Sequence, residues 1–267
     1  MWNKFTSQPF VIIKERKVKK MDKNIPLALV LILLLVLSSS LVTFADKGEK
    51  YFQDMQNFTY TYYQEDEPIK EINNKLQKYY EKILEKYGVQ INRPIEIVIY
   101  PDIDSFHQGA KIPVENRSPG IVGSAVSSNK IAFVSPLNPG PVHNYQSIMK
   151  IAVHELVHIM TNKLNRNVPV WLKEGVSLYE ARQQNKSYLN QLIKNDKIPS
   201  INKLEQNFYS NYGYTVSGTI VEYIVHNHGY EKLIRLIKSP KNFKGIFGLT
   251  KDDFFSNWKG YLYQTYN

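Results

Sequence analysis

The sequence predicts an α+β fold, with a small, mainly antiparallel sheet followed by a central helix that carries the chemistry and by a helical C-terminal half. Three observations lead there. Apolar residues recur at helical spacing before residue 88 and again after residue 145, and short β-branched runs bounded by proline, glycine and serine–asparagine turns lie between. Of the 267 residues, 43% are apolar, enough for a packed core. The chain has no cysteine, which excludes a disulfide scaffold and a thiol nucleophile or metal ligand.

The first 45 residues read as a basic leader and the remainder, 46–267, as one domain. Ile25 to Ala45 carries no charge, and Leu27 to Leu37 is unbroken apolar sequence preceded by lysines. That pattern fits a secretory signal peptide cleaved after Thr43-Phe44-Ala45, or an uncleaved single-pass membrane anchor, since about 20 residues span a bilayer as helix. Met21 is a natural alternative start. In either case the expected location is extracellular or at the cell surface.

Within the domain, Ile72 to Tyr87 reads as an amphipathic helix, with Ile72, Leu76, Tyr79, Tyr80, Ile83, Leu84 and Tyr87 on or near one stripe and Gly88 as its stop. Pro94 to Tyr100 reads as a strand closed by Pro101. Ile121–Val126 and Ile131–Val134 read as a hairpin across Ser127 to Lys130. The period then turns helical from Tyr145 to about Leu164, where Ile148, Ile151, Ala152, Leu156, Val157 and Ile159 share an apolar face. Further helices are expected at about 170–182, 186–195, 213–227, 230–238 and 251–265.

The formal net charge of +10 is half due to the leader. The rest mixes both signs without an arginine-rich stripe, so nucleic acid is not expected as a partner. The chain is expected to act as a monomer.

The chemistry concentrates at His154-Glu155-Leu156-Val157-His158, inside the central helix. Side chains four residues apart share a helix face about 5–6 Å apart, so both imidazoles can hold one metal ion. Glu155, turned about 100° away, can stand beside that ion and take a proton from water. By chance such a pattern is expected only about 0.006 times in a chain of this composition. A third ligand is needed, with a position left open for water. Glu174, in the amphipathic run after Pro169, is separated by enough chain for a second helix to cross the first and deliver a carboxylate.

HELVH followed by Trp171-Leu172-Lys173-Glu174-Gly175 resembles the gluzincin metallopeptidases, in particular the bacterial peptidase MA-like families. The resemblance spans about residues 95–265 and is most specific at these two elements. It implies a zincin-like fold, Zn2+ as cofactor, His154, His158 and Glu174 as ligands, Glu155 as general base, and a peptide or protein as substrate. It also implies a tyrosine that steadies the tetrahedral intermediate, best matched by Tyr214, with Tyr212 as rival. A strand before the metal helix should offer its edge to an extended substrate, and either member of the hairpin could do so. The Gly-x-Met-Glu-Asn segment of the large gluzincin aminopeptidases is absent, so action on free N-termini is not supported.

The expected function is therefore an exported zinc-dependent peptidase. The alternatives are a non-catalytic exported binding or assembly module that keeps the fold, and a surface protein that binds anionic polymers. His226 and His228 suit a helix end before Gly229, and His107 and His143 are expected at the surface. Trp171 should be a core anchor, and Glu180 a candidate to hold a ligand histidine from behind.

Overall fold

The computed structural model describes residues 49–266; the leader falls outside them, and the expectations about it are neither met nor contradicted. Among the described residues no helix is long and apolar enough to cross a membrane.

Two short strands open the domain, β1 (Tyr51–Asp54) and β2 (Phe58–Tyr62), paired antiparallel. In β2, Phe58 and Tyr60 alternate with threonines and are buried, a strand too short for its period to announce it in the sequence. Helix α1 (Ile69–Tyr87) follows, burying Ile69, Ile72, Leu76, Tyr80, Ile83 and Tyr87 and ending at Gly88 in the left-handed region, as its spacing predicts. Strand β3 (Ile95–Tyr100), the short helix α2 (Ile103–Gly109), β4 (Gly123–Ser127) and β5 (Lys130–Val134) complete the sheet region.

The sheet order is β1-β2-β3-β5-β4 and the sheet is mixed. β2–β3 and β3–β5 are parallel, while β1–β2 and the expected hairpin β4–β5 are antiparallel. The expectation of a mainly antiparallel sheet is thus corrected. The cause is α1: a helix inserted between β2 and β3 carries the chain back so that β3 starts at the same end as β2, which a tight turn cannot do. β4 is left as an edge strand.

Helix α3 (Tyr145–Leu164) begins with a capping box, Asn144 accepting from the Ser147 N–H and the Ser147 hydroxyl from the Asn144 N–H. It is buried on nearly every side from Ala152 to Thr161, because α1, β4, β5 and helix α4 (Val170–Glu180) surround it. The remaining helices are α5 (Lys186–Lys194), α6 (Ile201–Gln206), α7 (Gly213–Lys238), α8 (Phe243–Phe247) and α9 (Lys251–Tyr266). α7 is interrupted at Gly229 (φ 81°, ψ 163°), where the sequence predicts a break between two helices.

The C-terminal half supports α4 from below. Trp171 is buried and meets Phe255 of α9 edge-on at 5.3 Å between ring centres. Trp258 donates its indole N–H to the Thr219 hydroxyl of α7 at 3.1 Å. Each such aromatic withdraws enough apolar surface to stabilise the fold by about 3 kcal/mol. Trp171 is therefore the expected anchor, and it holds the helix that carries Glu174.

Candidate metal centre

His154 and His158 lie one turn apart on α3, with ring centres 4.6 Å apart and planes at 85°. Each ring is pinned through Nδ1. His154 Nδ1 lies 2.7 Å from Gln183 Oε1, an acceptor, so the ring donates there. His158 Nδ1 lies 3.0 Å from Ser177 Oγ. With Nδ1 engaged, each ring turns Nε2 toward α4.

There the Glu174 carboxylate meets both rings, Oε2 lying 3.2 Å from His154 Nε2 and Oε1 3.4 Å from His158 Nε2. Nitrogen and oxygen ligands about 2.0–2.1 Å from a tetrahedrally held ion are about 3.3 Å apart from one another, so these separations suit one cation. One ligand atom from each of the three side chains lies within 4.8 Å of the others. The donor chemistry agrees. A ring with its proton on Nδ1 presents a lone pair at Nε2, and a lone pair facing a carboxylate oxygen is repulsive unless a positive charge lies between them. Protonated rings would supply that charge; a single divalent ion supplies it to all three groups at once.

The electrostatics without an ion are those of a charge cluster. Burial pushes the Glu174 carboxyl up, but hydrogen bonds and charge from the two histidines outweigh it and hold the group well below the usual carboxylate range. Burial pulls His154 down, and its Glu174 hydrogen bond together with the Glu155 charge reverses that into a net rise. Glu155 is raised by burial first, opposed by both histidines.

Two close approaches shape the centre. Helices α4 and α7 touch at Gly175, where an added Cβ would lie 2.6 Å from the Ser217 carbonyl oxygen, so the glycine after Glu174 is a packing requirement. On the other side, a Cβ at Gly123 of β4 would collide with Ile151 and come within 3.1 Å of Glu155 Oε1. The edge strand therefore lies directly against Glu155, and the Ala125 N–H acts on its carboxylate.

Tyr214 occupies the first turn of α7, its half-exposed ring against Phe208 at 5.0 Å. Burial and then the charge of Glu174, with Tyr209 and Glu155 adding, push its phenol well up. Its phenol thus lies in the field of the centre's carboxylates. Tyr212, the rival, sits just before the helix with φ 57° and meets Tyr188 edge-on.

Other expectations are corrected. Glu180 holds no ligand histidine; it accepts from Tyr87 OH at 3.0 Å and from Lys86 Nζ at 3.1 Å. The role expected of it falls to Gln183 and Ser177, which no spacing rule singles out. His107 is not a surface residue: it is buried, with Nε2 2.8 Å from the Ile121 carbonyl oxygen. His143 is half-buried, against Gly120 and Ser147. His226 faces Tyr261 OH, and His228 lies against Tyr223 and Phe247.

No curated protein matches the chain in sequence comparison. The family model of the Peptidase MA superfamily matches residues 76–264, from α1 through α9. The chain belongs to this superfamily, a group of peptidases that are typically metal-dependent.

Proposed function

We propose that this member of the Peptidase MA superfamily is a zinc-dependent peptidase that acts outside the cytoplasm. The observation that carries the reading is the convergence of His154 Nε2, His158 Nε2 and the Glu174 carboxylate while both Nδ1 atoms are engaged elsewhere. Two imidazoles and one carboxylate suit Zn2+ and leave a position for water, as a catalytic site requires. When bound, such an ion supplies Lewis acidity, polarising a carbonyl and making water acidic enough to lose its proton near neutral pH.

The residues around it divide the remaining work. Glu155, buried beside the ligands, accepts the proton of the attacking water at its carboxylate and returns it to the departing amine. Tyr214 donates a hydrogen bond to the oxyanion as it forms. The outer edge of β4, which lacks a strand partner among the described residues and lies against Glu155, accepts an extended peptide as an added strand. Location outside the cytoplasm is supported by the uncharged run Ile25–Ala45 behind its basic flank.

Metal analysis of the purified chain and digestion of a peptide library test this reading. About one equivalent of zinc is expected, with cleavage that a chelator stops and added Zn2+ restores. Bound metal without cleavage of any peptide would favour the non-catalytic module. Cleavage indifferent to chelation would reject the metal mechanism.

A further inference from the structure

A hollow of the domain is lined by none of the three metal-centre side chains His154, His158 and Glu174. It is a cavity of about 550 Å³ between α1, the end of α4, the start of α5 and α7, within the size range of small-molecule sites. Five lysine or arginine side chains line it, against the two carboxylates of Glu180 and Glu222. We propose that this cavity binds a phosphate-bearing ligand.

Both carboxylates are already served by the walls. Glu180 accepts from Lys86 and Tyr87, and Glu222 from Gln184 at 3.1 Å, Tyr261 at 3.1 Å and Tyr266 at 2.6 Å. Lys78, Lys82, Arg182 and Lys186 make no ion pair among the described residues. All four are exposed, and gathered around one concavity they raise the local positive potential, which favours an anion bound between them. Lys78 and Lys82 stand one turn apart on α1, whereas Arg182 follows the end of α4 and Lys186 begins α5. A planar carboxylate engages one fork of donors. A phosphate, with about two negative charges and three acceptor oxygens in different directions, matches donors from separate elements and the formal excess of three positive charges.

The backbone at Arg182 makes this residue a clean place to test the proposal. α4 ends in a Schellman turn, with the Arg182 N–H on the Tyr179 carbonyl at 3.2 Å and the Gln183 N–H on the Leu178 carbonyl at 2.9 Å. Arg182 occupies its left-handed position, at φ 54°, where glycine is the usual and least strained residue. Arg182 is among the residues that line the cavity. The same turn directs Gln183 to His154, so the cavity and the metal centre share one wall.

Arg182→Gly is therefore a favourable test: the turn keeps its shape, the fold is expected to be no less stable, and only the cation is lost. Lys78→Gln/Lys82→Gln, on the exposed face of α1, removes two of the cations that α1 contributes. Calorimetric titration of the whole chain, with and without chelator and at constant ionic strength, would use inorganic phosphate, glycerol 3-phosphate and succinate. Saturable phosphate binding that survives chelation, weakens about tenfold or more in both variants, and exceeds succinate binding is expected. Tighter binding of glycerol 3-phosphate identifies a phosphorylated organic body as the ligand; equal binding identifies the free anion. No saturation by about 10 mM, equal affinity for succinate, or affinity unchanged by both variants overturns the proposal.

Discussion

Alanine at position 175 separates two effects of opposite sign. In a helix interior, replacing glycine by alanine ordinarily stabilises by about 1 kcal/mol, through backbone entropy. At 175 the new Cβ would sit 2.6 Å from the Ser217 carbonyl oxygen, 3.0 Å from its carbon and 3.1 Å from Val221 Cγ2, whereas ordinary contact begins near 3.4 Å. Helices α4 and α7 must then part by roughly 0.8 Å, since a backbone carbonyl cannot rotate aside as a side chain does. Overpacking of this kind costs up to about 3 kcal/mol, so the net effect is about 2 kcal/mol of destabilisation. For a domain of this size that lowers Tm by about 4–8 °C. Gly260 in α9 is the matched control, because nothing lies within 4 Å of a Cβ placed there. Gly260→Ala should therefore raise Tm by about 2–4 °C. Thermal unfolding followed by circular dichroism in the presence of chelator measures both without metal linkage. Glu174 adjoins the displaced residue, and ligand distances tolerate about 0.2 Å, so zinc affinity, read by competition with a chromophoric chelator, should fall about 10–100-fold in Gly175→Ala alone. If both variants gain stability, the close approach of α4 to α7 is wrong, and with it the account of how Glu174 is held.

Four further outcomes are expected. Glu155→Gln should retain zinc and lose peptidase activity by about 10²–10⁴-fold, as a metal-to-protein ratio and a turnover assay on one sample will show. Gln183→Ala and Ser177→Ala should each weaken zinc binding about 10–100-fold, with far smaller changes in metal-free Tm. Tyr214→Phe should reduce kcat about 10²–10³-fold with little change in KM; a KM effect alone would assign the phenol to substrate binding. Burial, only partly offset by the hydrogen bond from Ser135, pushes the carboxyl of Glu67 up to about 7. The native state thus favours the protonated acid. Its contribution is fully present below the unfolded pKa near 4.5 and is lost as pH rises through about 7, an effect of at most about 3 kcal/mol. Glu67→Gln should raise stability at pH 8 and flatten the denaturation profile between those limits.

Much of the molecule is written in local pattern. The 3.6-residue period from Tyr145 places His154 and His158 on one face of α3, and no tertiary contact is needed to bring them together. The stripe of α1, its stop at Gly88 and the interruption of α7 at Gly229 are equally local. β2 is legible in principle, from the alternation of its aromatics with threonine, whereas β1, Tyr-Phe-Gln-Asp, shows no such alternation, and strands of four and five residues give little periodicity to read.

The remainder depends on which surfaces meet. That Glu174 faces the rings follows from α4 lying against α7 at Gly175, and that Gln183 and Ser177 orient them follows from the turn ending α4 and from one hydroxyl on its inner face. The parallel pairings around β3, the exposed edge of β4 against Glu155 and the basic cavity behind α4 arise in the same way. A sequence states the faces of its helices because a helix repeats over a few residues. It does not state how closely two such faces approach, because that distance is set by single contacts between residues tens of positions apart.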